Sequence, residues 1–167
     1  GSVRTNQLQL IKEIRQKLNQ NIHLIIKEHP EQLRKIPRKL SFYFEILRLK
    51  NTHFISENFN KKLLLKNSKL IFSISGTISL EAALIEKKVI VFSKLIHSIF
   101  KKNINYVDNL KNMRNIIVNT LKSKPTKIYI SDFKKFIYLF LDGELFFKHK
   151  KNKKAAYSIK DFLIKFN

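Results

Sequence analysis

Four short stretches of the chain carry residue types that could do chemistry: Lys27-Glu28-His29-Pro30, Ser56, Ser75-Gly76-Thr77 and Ser93. An imidazole at the end of an extended segment, held there by the proline that follows, can donate a hydrogen bond to a phosphate or move a proton. A glycine between two hydroxyl residues, where a strand gives way to a helix, lets the backbone turn and a ligand approach. The helix start then offers unpaired N–H groups to an anion. The same Ser-Gly-Thr triplet would equally make a plain turn with Thr77 as helix cap, worth about 1 kcal/mol. Glu81, one turn further on, complements the helix dipole under either reading and could also accept hydrogen bonds from ribose hydroxyls. Arg34 and Arg38 follow His29 and could add positive charge around a phosphate, or could simply be the solvated face of a basic segment.

These residues matter together only if the fold brings them together. Leu8, Ile11, Ile14 and Leu18 recur at helical spacing over residues 6–19, between Lys and Arg. The run NIHLIIKEHP that follows is almost continuously apolar, as a parallel strand covered on both faces would be. The spacing then predicts a short helix in SFYFEILRLK, a strand in THFIS, a helix over 58–67, a strand in KLIFSIS, a helix in TISLEAALIEK and a strand in KVIVFS. NINYVDN reads as a further strand and LKNMRNIIVNTLKS as a helix ending before Pro125. Strand alternating with helix predicts an α/β fold, a Rossmann-like doubly wound parallel sheet with helices on both faces. In such a sheet ligands gather at the carboxyl ends of the strands, and all four stretches are strand ends.

The chain has 167 residues, 44% hydrophobic and 11% aromatic, enough for one domain with a sizeable core. Residues 3–167 are expected to form a single domain, with 145–167 a basic helical tail, after a Gly-Ser pair that resembles a cloning remnant. There is no cysteine, so neither a disulfide framework nor a thiolate metal site can form. The five histidines, at 23, 29, 53, 97 and 149, show no metal-ligand spacing, and no metal is expected. The net charge of +22 would attract nucleic acid, anionic lipid or phosphorylated ligands. Lysine outnumbers arginine 28 to 6 among many Asn, Ile and Phe, a composition that A/T-rich codons also produce. No stretch reaches the roughly 18 apolar residues of a membrane span.

As a set, KEHP, then PRKLSFYFEILRLKNTHFIS, then LLLKNSKLIFSISGTISLEAALIEKKVIVFS resembles the C-terminal half of capsule polysaccharide biosynthesis proteins, over roughly residues 6–107. The resemblance implies one half of a GT-B glycosyltransferase, similar to Kdo transferases, the half that binds the nucleotide-sugar donor. It implies that His29 and the Ser75–Thr77 turn hold the donor phosphate and that Glu81 lies near the ribose, with Glu28, Arg38, Ser56 and Ser93 as secondary candidates and no catalytic residue assigned. A CMP-sugar is the first expectation for the donor and a UDP-sugar the second. The other GT-B half, N-terminal to this one, would be needed for transfer, so the chain alone is expected to bind a nucleotide without turning it over. The implied location is the cytoplasm, with peripheral contact at the anionic inner membrane, where the FFKHKKNKK run could touch lipid. Two departures stand out: Lys88 occupies a position that is usually proline, and no glycine follows Phe92.

Two other readings compete. A nucleotide-sugar epimerase half would use the same scaffold. A basic nucleic-acid-binding module would rest on charge alone, since no RNA-recognition aromatic motif, paired-glycine loop or helix-turn-helix pattern is present, and no nucleic-acid partner is expected.

Overall fold

A computed structural model describes residues 6–29, 38–74, 77–93 and 103–128. The chain clusters into two compact units, Gly1–Lys127 and Ile128–Asn167. All the elements below belong to the first; the tail at 145–167 lies outside the described residues.

Helix α1 (Gln7–Lys17) starts where the Asn6 side chain accepts the Gln9 N–H at 3.0 Å. Leu10 and Ile14 form its buried stripe. Its end is closed by Arg15, a buried guanidinium that donates to the carbonyls of Leu18 at 3.1 Å and Asn19 at 2.6 Å and also reaches Ile22. Those carbonyls have no intrahelical partner, and a cation there also complements the helix dipole.

Strand β1 (Leu24–Lys27) pairs in parallel with β2 (Thr52–Ile55), from Leu24 opposite Thr52 to Lys27 opposite Ile55. Helix α2 (Leu40–Leu47) connects them, packing on β2 and α1. Asn51 turns the chain into β2 with φ of 54°, a left-handed conformation that asparagine tolerates better than most residues. Helix α3 (Lys61–Asn67), capped by the Asn60 side chain at 3.1 Å to the Leu63 N–H, leads to a second parallel ladder. There β3 (Ile71–Ser73), β4 (Val89–Val91) and β5 (Ile104–Tyr106) lie side by side in that order. Helix α4 (Thr77–Leu84) joins β3 to β4, and after β5 a 3-10 turn at Leu110–Asn112 opens into α5 (Met113–Lys122).

One core spans both ladders. Leu10, Ile14 and Leu18 from the α1 segment meet Leu24 of β1, Ile90 of β4, Phe92, Val107, and Met113 and Ile117 of α5, with Ile26 and Phe72 packed alongside. Alternation sends Val89 and Val91 to the opposite face, where both are fully buried. Helix α4 packs against β3 and β4, and its fully buried Ala82 and Ala83 allow close approach. The three-stranded sheet is therefore covered on both faces at β4, which explains why this strand is apolar without alternation. This is the Rossmann-like α/β arrangement that the strand-helix rhythm predicts.

Lys88, at the usually proline position before β4, is anchored in another way. Its carbonyl accepts the Ile71 N–H at 3.0 Å, and its ammonium donates to the Leu121 carbonyl at 2.6 Å, in the last turn of α5. A cation at a helix C-terminus is favourable, so the lysine ties a strand start to a helix end.

Candidate functional site at the carboxyl ends of the strands

Because β1 and β2 are parallel and in register, Glu28 and His29 leave the sheet beside Ser56 and Glu57. The Lys27 ammonium bridges the two exits, donating to the backbone carbonyls of Ser56, at 3.5 Å, and of Glu57. The Ser56 carbonyl accepts the Phe59 N–H at 3.1 Å, and its hydroxyl accepts the Asn58 N–H at 3.2 Å, which closes a tight turn. Ser56 is thus a turn former at the strand end. His29 is exposed.

Glu57 is a residue that the strand-end reading passed over. It sits in that turn, half-buried, and its Oε2 is enclosed with no hydrogen-bond partner. An enclosed acceptor left unpaired costs about 1–3 kcal/mol, and more when charged. Its only sequence signal is adjacency to Ser56, because nothing in the pattern distinguishes an inward carboxylate in a turn from a solvated one.

Glu28 and Arg38 come together across the described segments. The Glu28 carboxylate accepts the Arg38 Nε–H at 2.6 Å and the Tyr43 hydroxyl at 2.8 Å. Arg38 also donates to the Gln7 side chain and lies over the Phe42 ring, 4.3 Å from its centroid. The guanidinium therefore connects the end of β1 with α1 and α2, a use for which its fork of donors suits it better than lysine. Donating to Glu28 pushes the Tyr43 phenol up from its ordinary value; burial and the Glu28 charge add to this, and the Arg38 charge opposes it. Arg34 lies outside the described residues.

On the second ladder, β3 ends at Ser73 and α4 begins at Thr77, which is exposed. Ser75 and Gly76 lie outside the described residues. The first turn of α4 carries no acidic residue, so its positive end is not neutralised from within. Glu81 is engaged: its Oε2 meets the Lys61 ammonium of α3 at 2.6 Å, with the carboxylate mostly buried. Ser93, half-buried, follows β4 at the same end of this ladder.

At the opposite, amino end of β1 and β2, His23 Nδ1 and His53 Nε2 approach to 2.9 Å. The ring centroids are 5.2 Å apart and the planes differ by 16°, so the pair meets edge to edge in one plane, as in an N–H···N hydrogen bond. Among the described residues no group of three or more His, Asp or Glu side chains could hold a metal ion. Nor is any helix among them long and apolar enough to cross a membrane.

Residues 1–137 match the family described as capsule polysaccharide biosynthesis protein. The chain belongs to that family. The match includes every strand and helix described above, together with both ladders whose carboxyl ends carry the candidate residues. Membership gives the protein a role in capsule polysaccharide biosynthesis. No curated protein matches the chain.

Proposed function

We propose that this chain is the nucleotide-sugar-binding half of a GT-B glycosyltransferase, acting with an N-terminal half that supplies the acceptor site. The observation that carries this reading is that β3 ends at Ser73 and an eight-residue helix, its first turn free of carboxylates, starts four residues later at Thr77. Such a junction favours an anion at the carboxyl edge of the sheet. His29, exposed at the end of β1, is the proposed second phosphate contact, and Ser75 and Gly76 complete the proposed cradle with Thr77. The donor proposed first is a CMP-sugar, then a UDP-sugar. The epimerase-like alternative differs in product and would be recognised by product analysis with the complete enzyme.

Calorimetry with CMP, UDP, GDP and a short RNA tests the reading. The expected result is binding of one nucleotide with a clear preference, weakened about 10-fold or more by His29→Ala and by Thr77→Ala, as for loss of a charge-assisted hydrogen bond. Unchanged affinity in both variants would remove the phosphate site. RNA binding that falls steeply with salt, with no preference among free nucleotides, would favour the nucleic-acid reading instead.

The proposed location is the cytoplasmic face of the inner membrane. Support comes from the charge of +22 and from α2, where Leu40, Phe44 and Leu47 are exposed near Lys39, Arg48 and Lys50. Apolar and cationic residues side by side suit an anionic lipid surface. Vesicles containing anionic lipid are expected to sediment the protein while neutral ones do not; equal sedimentation with both would count against the location.

A further inference from the structure

We propose that the amino edge of the β3–β4–β5 ladder, opposite the candidate nucleotide site, is a docking surface for an acidic polysaccharide, a chain bearing carboxylates along its length. The proposal rests on family membership and on the charges at this edge, and it does not depend on the nucleotide-binding reading.

The topology collects the charges. Parallel strands place their starts on one edge, and the helices that run back between them end on that same edge. Lys69 and Lys87 each lie two residues before the Ile71–Val89 pair that opens the β3–β4 ladder, so they enter level with one another, on strands about 4.8 Å apart. Lys66 stands in the last turn of α3 and Lys122 in the last turn of α5. Hydrogen bonds join these positions. The Lys87 ammonium donates to the Lys66 carbonyl and that of Lys88 to the Leu121 carbonyl at 2.6 Å, while Thr126, two residues past Lys124, is bonded to Asn103 at the start of β5. The lysine positions therefore form a row across all three strands, with the exposed Glu86 as the acidic residue beside them.

The charge of this row is not neutralised as it is on the carboxyl side, where Arg38 meets Glu28 and Lys61 meets Glu81. Lys87 and Lys88 meet carbonyl oxygens, which carry no net charge, and Lys66, Lys69, Lys122 and Lys124 are exposed. The helix dipole accounts for Lys66 and Lys122 at helix ends, but not for Lys69, Lys87 and Lys124, which lie outside helices. Like charges in a row repel one another and attract a polyanion. Residue type then selects the polyanion. No large apolar side chain is exposed among these positions, whereas α2 presents Leu40, Phe44 and Leu47, so a lipid surface suits α2 better than this edge. The row holds no aromatic ring to stack on a base and no arginine to fork onto one, which single-stranded nucleic acid would use. Ammonium point charges on flexible stems fit carboxylates spaced along a hydrated polymer, and the polymer that the family's role supplies is a polysaccharide.

Calorimetry on the full 167-residue chain at low salt, with polygalacturonate as the acidic probe and dextran as the neutral one, tests the surface. Polygalacturonate is expected to bind, more weakly as salt rises, and dextran is not. Lys69→Gln/Lys124→Gln is expected to weaken binding about 10-fold, while Lys111→Gln/Arg114→Gln, which removes the same charge at the opposite end of α5, changes it by less than about 2-fold. All four side chains are exposed, so both variants are expected to keep the Tm of the unmodified protein. Equal weakening in the two variants would mean that overall charge, not this edge, binds the polymer. Tighter binding of an oligo-dT strand or of anionic vesicles through Lys69 and Lys124 would assign the edge to another polyanion, and absence of polygalacturonate binding would remove the surface. Each of these three results overturns the proposal and leaves the nucleotide-binding reading standing.

Discussion

Asn103→Ala is expected to lower the stability of the fold by about 3 kcal/mol, the sum of a small cavity, one orphaned buried carbonyl and the lost tether to Thr126. Asn103 is 1% exposed, at the start of β5. Its amide nitrogen donates to the Ala83 carbonyl at 3.2 Å, near the end of α4, and to the Thr126 carbonyl at 2.6 Å. Its amide oxygen accepts the Thr126 N–H at 2.8 Å, and its backbone carbonyl accepts the Val89 N–H at 2.9 Å. One side chain thus fixes the segment after α5 to the end of α4. Alanine leaves all three side-chain contacts unmet: the Ala83 carbonyl stays buried, whereas Thr126 is exposed and its backbone groups can turn to water. For a chain of this size the loss corresponds to a fall in Tm of about 6–12 °C, readable by thermal denaturation. A fall under about 2 °C would mean that solvent replaces the amide and that the clamp is not a determinant of the fold.

Asn103 also marks where sequence reasoning stops. NINYVDN reads as a strand because Ile104 and Tyr106 alternate with polar residues, and β5 is there. Nothing local says that the first asparagine is buried and bonded to two segments 20 and 23 residues away, since that depends on packing between elements. The same boundary runs through the candidate site. Strand ends are legible from apolar runs terminated by Pro, Ser and Gly, so Glu28, His29, Ser56 and Ser93 emerge from pattern alone. Side-chain commitments are not legible: Ser56 closes a turn, Glu81 meets Lys61, and Glu57 turns an unpaired oxygen inward. Periodicity overstates strand length for a related reason. KLIFSIS spans seven residues in the pattern, but among its described residues only Ile71–Ser73 pair, because a ladder extends only as far as its neighbour does.

Arg38→Met is the second substitution with a large expected effect, about 2 kcal/mol. Glu28 and Arg38 retain only 12% and 19% of their side-chain exposure, and removing the cation leaves a largely desolvated carboxylate with the Tyr43 hydroxyl still donating to it. Breaking a fully buried pair costs about 3–5 kcal/mol; residual solvent contact lowers that here. The double variant Glu28→Gln/Arg38→Met is expected to recover about 1 kcal/mol, because the unpaired charge goes with its partner. Arg38→Lys separates two roles for the guanidinium. As a charge near phosphate, lysine would preserve nucleotide affinity with little loss of stability; as the fork that joins Glu28, Gln7 and the Phe42 face, it would not preserve stability. The Tyr43 phenol provides an independent readout. Its folded value lies above the ordinary one of about 10, so the stability that this group adds is complete below about pH 10 and is lost as pH rises through the folded value. Arg38→Met removes the cation opposing the shift and should drive the phenol higher still, whereas Glu28→Gln should return it toward the ordinary range. Phenolate absorbance, taken as the difference from Tyr43→Phe in each background, measures both. Movement in the same direction for both substitutions would show that Glu28 is not the dominant partner, and that the end of β1 carrying His29 is held by something other than this network.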